Sequence, residues 1–125
     1  MSGEDNTRAY RELIVWQRAM DLVVSAYALA ILFPREEQYG LISQIQRAAV
    51  SVPGNIAEGQ GRESLKPFLN HLGIARGSLA ELDTLLLLAV RLGYLAEAAL
   101  ADVNGQIIEV RRLLRGLVRS LEARL

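Results

Sequence analysis

The chain has 125 residues, a length that suits a single domain able to bury roughly two thirds of its unfolded surface. It contains no cysteine, which excludes disulfide scaffolds, thiolate zinc sites and cysteine nucleophiles. Its 14 basic residues balance 14 acidic ones, so the chain as a whole has no net field to attract a polyanion. The N-terminal residues do not resemble a signal peptide and no apolar run could cross a bilayer. We therefore expect a cytoplasmic protein with no membrane partner.

Apolar residues recur at spacings of three and four, which predicts helices and no strand. The first helix spans Leu13 to Leu32 and ends before Pro34, because proline disfavours helical geometry in the preceding residue. The second runs from about Leu41 to Glu58 with its apolar register unbroken, although Pro53 is expected to kink it and could split it. The predicted core faces are Trp16, Ala19, Met20, Val23, Tyr27 and Ala30, then Ile42, Ile45, Ala49, Val52 and Ile56.

The third helix is predicted to follow Ser64, a candidate N-cap, and to stop at Gly93, after which the last helix begins near Leu95. Short connections between long helices imply antiparallel neighbours. The predicted fold is therefore all-α, an up-down-up-down antiparallel four-helix bundle over residues 10–125 behind a disordered tail of residues 1–9. The two predicted seams are Phe68, Leu72, Ala75, Leu79, Leu82, Leu86 and Ala89, then Ala99, Val103, Ile107, Val110, Leu114, Leu117 and Leu121.

The third helix is apolar on two sides, since it also carries leucine and isoleucine opposite its seam. A second copy of the chain is the most economical cover for this side, which predicts a homo-oligomer. The alternatives are a wider core stripe or a different protein as the covering partner. The predicted interface residues are Ile74, Leu85, Leu88 and Leu92.

A row of polar residues follows the second helix on a line separate from its core face. Because semi-buried charges must be paired, we expect a structural network between helices or subunits, with Arg47 near Glu58 and Ser78 near Glu81. The alternative is a metal-dependent or hydrolytic enzyme in which Glu58 and Glu81 are paired carboxylates. The single histidine, His71, belongs to no Glu-x-x-His pair of the di-iron type, so we predict no catalytic residue, metal or cofactor. The polar row comprises Gln44, Arg47, Ser51, Asn55 and Glu58.

Arginines cluster on the last helix, where Arg112, Arg115 and Arg119 share a face with Arg111 beside them. In an oligomer each copy would repeat this patch, which could then pair with phosphates as a multivalent basic surface. The alternative is a solvated face whose arginines complement the C-terminal end of the helix dipole.

Three stretches, RELIVWQRAMDL, FPREEQYGLISQIQRAAVSVPGNIAEG and IARGSLAELDTLL, resemble the bacterial four-helix bundle proteins encoded in intervening sequences of 23S ribosomal RNA genes. The resemblance covers roughly residues 10–121, and the fold is shared with accessory proteins of diversity-generating retroelements. Known members form ring-shaped homopentamers, so the resemblance implies a homopentamer, and most have no established biochemical activity. The positions that match the family pattern are Trp16, Pro34, Gln44, Arg47, Ser51, Pro53, Asn55, Glu58, Gly77, Ser78 and Glu81.

The retroelement proteins bind a reverse transcriptase and nucleic acid through a strongly basic surface, which this chain, with a pI of about 6.6, does not match. The sequence thus predicts a non-enzymatic homo-oligomeric scaffold or adaptor. Its predicted partners are further copies of itself, with RNA, DNA or a reverse-transcriptase-like protein as candidates for the arginine patch.

Overall fold

The computed structural model describes residues 5–125, which form four α-helices and no strand. The all-α prediction is therefore confirmed for these residues. Three short 3-10 segments, Asp5–Glu12, Arg35–Glu37 and Glu97–Leu100, precede α1, α2 and α4. The helices are α1 (Ile14–Ala30), α2 (Leu41–Gln60), α3 (Leu65–Arg91) and α4 (Ala101–Glu122).

The first 3-10 segment packs against α1 and α2, and its Tyr10 ring lies 5.3 Å from the ring of Trp16, edge to face. The predicted disordered tail of residues 1–9 overlaps this segment from residue 5 onward. Its first four residues lie outside the described range, and the prediction stays open for them.

The four helices pack in cyclic order, with α1 between α2 and α4, and α3 between α2 and α4. The most extensive contact joins α2 to α3. These two helices are antiparallel, because Ser51 contacts Ser78 while Asn55, one turn later on α2, contacts the earlier His71 on α3. This is the predicted up-down-up-down bundle, in which α1 and α3 occupy opposite corners. None of the helices among residues 5–125 has the length and apolarity that a bilayer span requires.

The core confirms the predicted seams of α2, α3 and α4 except at Ala99, which is exposed and lies in the 3-10 segment before α4. Burying each large aliphatic side chain contributes about 1.5–3 kcal/mol relative to leaving it in water. No polar or charged residue among the described ones is fully buried. Among the fully buried side chains are Ile45, Val52, Ile56, Leu72, Leu79, Leu82, Leu86, Ile107, Val110 and Leu114.

The predicted face of α1 is partly wrong, because Met20 and Tyr27 are exposed. α1 is apolar over most of its circumference, so spacing alone does not select one buried face. The structure buries the side that carries three alanines, where small side chains let α1 approach its neighbours closely. The buried residues of α1 are Val15, Ala19, Leu22, Ala26 and Ala30.

Helix α2 continues through Pro53 without a break, as its unshifted apolar register predicts. Its C-terminal turn lies close to α3, and Gly59 makes this approach possible. A Cβ at residue 59 would lie 2.8 Å from Cβ of His71 and 3.0 Å from Cδ1 of Phe68. The close approach brings the polar side of α2 within hydrogen-bonding distance of α3.

Candidate interaction surfaces

A chain of polar side chains links α2 to α3. The hydroxyl oxygens of Ser51 and Ser78 are 2.7 Å apart. Asn55 Nδ2 donates to the backbone oxygen of Ser51 at 2.9 Å and to its hydroxyl at 3.0 Å. Asn55 Oδ1 lies 3.1 Å from Nδ1 of His71. An amide oxygen can only accept, so His71 carries its hydrogen on Nδ1 and donates it to Asn55.

The chain ends at an exposed carboxylate near the end of α2. Glu58 Oε2 lies 3.6 Å from Nε2 of His71 and 3.8 Å from the guanidinium of Arg62. The contact with His71 is an ion pair only when the imidazole is protonated. The Glu58 and Arg62 side chains are more than half exposed, so their pair adds little to stability. The ordered part of the network is therefore the inner part, from Ser78 to His71.

The structure joins four of the seven expected network residues, namely Ser51, Asn55, Glu58 and Ser78. The remaining three, Gln44, Arg47 and Glu81, line a shallow depression beside Ser51 and Ser78, and none has a side-chain hydrogen bond or ion pair within residues 8–125.

The expected pairing of Arg47 with Glu58 is wrong. Eleven residues separate the two on α2, about 16 Å along the helix axis. Glu58 instead contacts Arg62 and His71, and Ser78 bonds to Ser51 and not to Glu81.

Sequence reasoning gave His71 no role and missed its hydrogen bond to Asn55 and its contact with Glu58. One signal was available, because His71 and Ser78 are two turns apart and so share a side of α3. Only 13% of the His71 side chain is exposed.

The two carboxylates of the enzyme alternative are not brought together. Glu58 contacts His71, which precedes Glu81 by ten residues, or about 15 Å along α3. Paired carboxylates need to face one reacting group, and this spacing does not allow it. Within residues 8–125 no three acidic or histidine side chains are grouped as metal ligands would be.

The arginines of α4 differ in their surroundings. Arg111 is half-buried and pairs with Asp83 of α3 at 3.8 Å. Arg112, Arg115 and Arg119 are exposed, and none has a carboxylate within 4.0 Å among the described residues. The structure thus leaves three of the four expected arginines open to an anionic partner.

A fifth arginine extends this surface onto α3. Arg76 and Arg115 line a cleft of about 190 Å³ between α3 and α4, with an aliphatic floor and Glu122 at its edge. Sequence reasoning missed Arg76, although its position two turns before Asp83 places it on the α4 side of α3.

The α3 face, defined here as Ile74, Leu88 and Leu92, is open to solvent, with Leu88 43% exposed. The prediction that Leu85 also belongs to this interface is wrong. It is only 8% exposed and belongs to the core. Leu85 lies one turn before Ala89 on the side of α3 that packs in the bundle, so its own chain covers it.

A second apolar surface lies on α1 and escaped the sequence analysis. The α1 face consists of Met20, Val24, Tyr27 and Ile31, with Val24 70% and Ile31 82% exposed. Tyr27 and Ile31 line an open cavity of about 480 Å³ along α2, and Arg35 also lines it. The residues of the α1 face have the same spacing as a buried face. For this reason Met20 and Tyr27 were predicted to lie in the core.

The two loops at one end of the bundle are joined by Glu37 and Tyr94. Glu37 Oε1 accepts a hydrogen bond from the backbone N–H of Leu41 at 3.1 Å, and Oε2 accepts from the Tyr94 hydroxyl at 2.8 Å. The Leu41 bond, followed by the Tyr94 bond, lowers the pKa of Glu37. The bond to Glu37 raises the pKa of Tyr94. The pair fixes the start of α2 relative to the end of α3.

Comparison with known proteins identifies a family. The model of the 23S rRNA-intervening sequence protein family matches residues 11–116. A crystal structure at 1.70 Å resolution, of a protein of unknown function from the S23 ribosomal protein family of Bacteroides thetaiotaomicron, has a TM-score of 0.77 and 24% identity. The match covers 84% of this chain and 98% of that one, and shows a shared fold. The curated proteins contain no match. The family model covers well over half of the chain, which therefore belongs to the 23S rRNA-intervening sequence protein family.

Proposed function

We propose that the protein is a non-enzymatic, homo-oligomeric scaffold that acts in the cytoplasm. The observation that carries this proposal is the pair of exposed apolar surfaces, the α1 face and the α3 face, on a chain whose core is complete without them. Exposed apolar patches of this kind mark association sites on proteins. A pentameric ring is the assembly that the family resemblance implies, and we adopt it as the proposed state.

Light scattering coupled to size exclusion tests this proposal on the purified chain. One chain has a mass of 13.8 kDa, so a homo-oligomer gives a multiple of this value, and a pentamer five times as much. A species that stays at 13.8 kDa from micromolar to near-millimolar concentration would overturn the oligomer.

We further propose that the scaffold binds RNA, DNA or a nucleic-acid enzyme such as a reverse transcriptase through the open arginines of α4. Arg112, Arg115 and Arg119 have no acidic partner within the described chain, in contrast to the paired Arg111. Each copy in an oligomer repeats the patch, so weak single contacts add up across one polyanion. Contacts of this kind release counterions, and the affinity should fall steeply as salt rises.

Two charge-matched variants test the arginine proposal. Replacing Arg112, Arg115 and Arg119 by glutamate should abolish RNA and DNA binding in a fluorescence anisotropy titration and leave the assembly mass unchanged. The control makes the same change at three exposed arginines elsewhere. It should bind as the original chain does, because its substitutions are not on α4. Binding that survives in the patch variant would exclude the patch as the site. The control positions are Arg8, Arg11 and Arg91.

A further inference from the structure

A cleft of about 190 Å³ separates the first half of α3 from the second half of α4. It is more enclosed than the open cavity along α2. The contact between α3 and α4 is the least extensive of the four helix contacts in the bundle, so the two helices leave space between their surfaces. Gly73 widens this space, because a Cβ at residue 73 would meet nothing within 4 Å.

The floor of the cleft is the outer surface of the hydrophobic core. Leu72 of α3 and Leu114 of α4 line the cleft and are themselves almost completely buried. Leu69 and Val118 also line it, and both are partly buried against the same core. Water held against four aliphatic side chains finds few polar partners, so an apolar group that displaces this water is favoured.

Three charged side chains line the cleft around this floor. Arg76 comes from α3 and Arg115 from α4, so the two guanidinium groups belong to opposite walls. Glu122 follows Arg115 by two turns of α4 and lines the same cleft. None of the three forms an ion pair within residues 8–125. The cleft thus holds two positive charges and one negative charge.

We propose that this cleft binds a small aliphatic carboxylate, with the carboxylate between Arg76 and Arg115 and the hydrocarbon chain on the aliphatic floor. The carboxylate accepts charge-assisted hydrogen bonds from the two guanidinium groups. A single negative charge balances the excess positive charge of the cleft, whereas Glu122 would repel the second charge of a phosphate dianion. The inference goes beyond the proposed scaffold and does not rest on it, although Arg115 also belongs to the open arginines of α4.

The volume of the cleft limits the length of the hydrocarbon chain. Drug-sized ligands occupy cavities of about 300 Å³ or more, so this cleft suits a smaller molecule. At about 30 Å³ for each water-sized group, the cleft holds about six such groups. Hexanoate has a hydrocarbon chain of suitable length and is the probe. A ligand this small is bound weakly, and we expect a dissociation constant on the order of 1 mM.

Saturation-transfer NMR measures this binding on the purified full chain, because it observes the ligand and works for protein assemblies of any size. Hexanoate has both the charge and the chain, acetate and inorganic phosphate have the charge alone, and hexanol has the chain alone. Hexanoate should bind at least about tenfold more tightly than each of the other three probes, because it alone uses both the arginines and the floor.

Two variants with matched controls locate the ligand. Gly73→Leu fills the cleft without changing a charge and should weaken hexanoate binding at least about tenfold. Leucine is a better helix former than glycine, so this variant still folds. Gly105→Leu, at a helical glycine with open space outside the cleft, should bind as the original chain does. Arg76→Gln should also weaken binding at least about tenfold, and Arg119→Gln, at an exposed arginine outside the cleft, should not.

Three results would overturn the proposed carboxylate site. One is hexanoate binding that Gly73→Leu leaves unchanged, because the chain then lies elsewhere. Another is binding of hexanol, acetate or phosphate as tight as that of hexanoate, because only one part of the cleft then contributes. The third is no hexanoate binding at about 10 mM, ten times the expected dissociation constant. None of these results bears on the homo-oligomer or on nucleic-acid binding, which light scattering and fluorescence anisotropy test separately.

Discussion

Asn55 joins the two halves of the polar network, and its replacement by alanine should destabilise the bundle. Its Nδ2 donates to two oxygens of Ser51, and its Oδ1 accepts the hydrogen of His71 Nδ1. Alanine removes these bonds and leaves the His71 N–H without a partner where 13% of the side chain is exposed. Ser51 keeps its bond to Ser78, so the loss is concentrated at the imidazole.

The size of the effect follows from these contacts. A lost intramolecular hydrogen bond costs about 1 kcal/mol net, and a buried donor left unsatisfied costs about 1–3 kcal/mol. Because His71 keeps slight access to water, the lower part of that range applies. We expect Asn55→Ala to reduce the free energy of unfolding by about 2 kcal/mol.

Urea unfolding at one protein concentration measures this loss, and a double-mutant cycle with His71→Ala isolates the shared contact. The coupling between Asn55 and His71 should be about 1 kcal/mol. Asn70→Ala is the control, because Asn70 is an exposed asparagine of α3 and its replacement should stay within about 0.5 kcal/mol. A loss at Asn55 no larger than that of the control, or a coupling near zero, would refute a stabilising role for the network.

Two further predictions concern the bundle end and the α2–α3 contact. Because hydrogen bonds lower the pKa of Glu37, its ionised form stabilises the fold above the ordinary glutamate pKa, and this contribution is lost as pH falls through the lowered value. Glu37→Gln should thus weaken the pH dependence of unfolding as the pH falls below the ordinary glutamate pKa of 4.5, and Tyr94→Phe should do so less, since it removes only the second cause. A variant with the original pH dependence would contradict this. Gly59→Ala should lower the free energy of unfolding, measured with urea, by about 1–3 kcal/mol, because the new Cβ would meet His71. Gly54→Ala is the control: its Cβ would meet open space, so the free energy of unfolding should rise by about 0.5–1 kcal/mol. Equal effects at both positions would be inconsistent with the close approach of α2 to α3 at Gly59.

The fold was predictable where one side of a helix differs chemically from the other. In α4 the seam from Val103 to Leu121 is the single apolar side, so spacing alone identifies the buried face. In α1 two apolar stripes with the same spacing run side by side, and hydrophobic periodicity cannot rank them. Packing selects the stripe that contains Ala19 and Ala26, because small side chains allow the closest helix contact.

The sequence predicts which residues of α2 belong to the polar network, but it does not predict which residues of α3 they contact. Spacing shows that Ser51 and Asn55 share a side of α2, since they are one turn apart. Spacing does not show which residues of α3 lie opposite Ser51 and Asn55. That register depends on the loop after Gln60 and on the close contact at Gly59. For that reason His71 was missed and the pairing of Arg47 with Glu58 was wrong.

Leu85 and Leu88 show that the sequence pattern alone does not identify interface residues either. They are three residues apart on α3, equally apolar and close to the same side, yet the bundle covers Leu85 and leaves Leu88 exposed. A sequence pattern indicates that such residues need cover, and only the packed chain shows which of them its own helices cover. The apolar residues that its own helices leave exposed, on the α1 face and the α3 face, are the ones available to a partner from outside the chain.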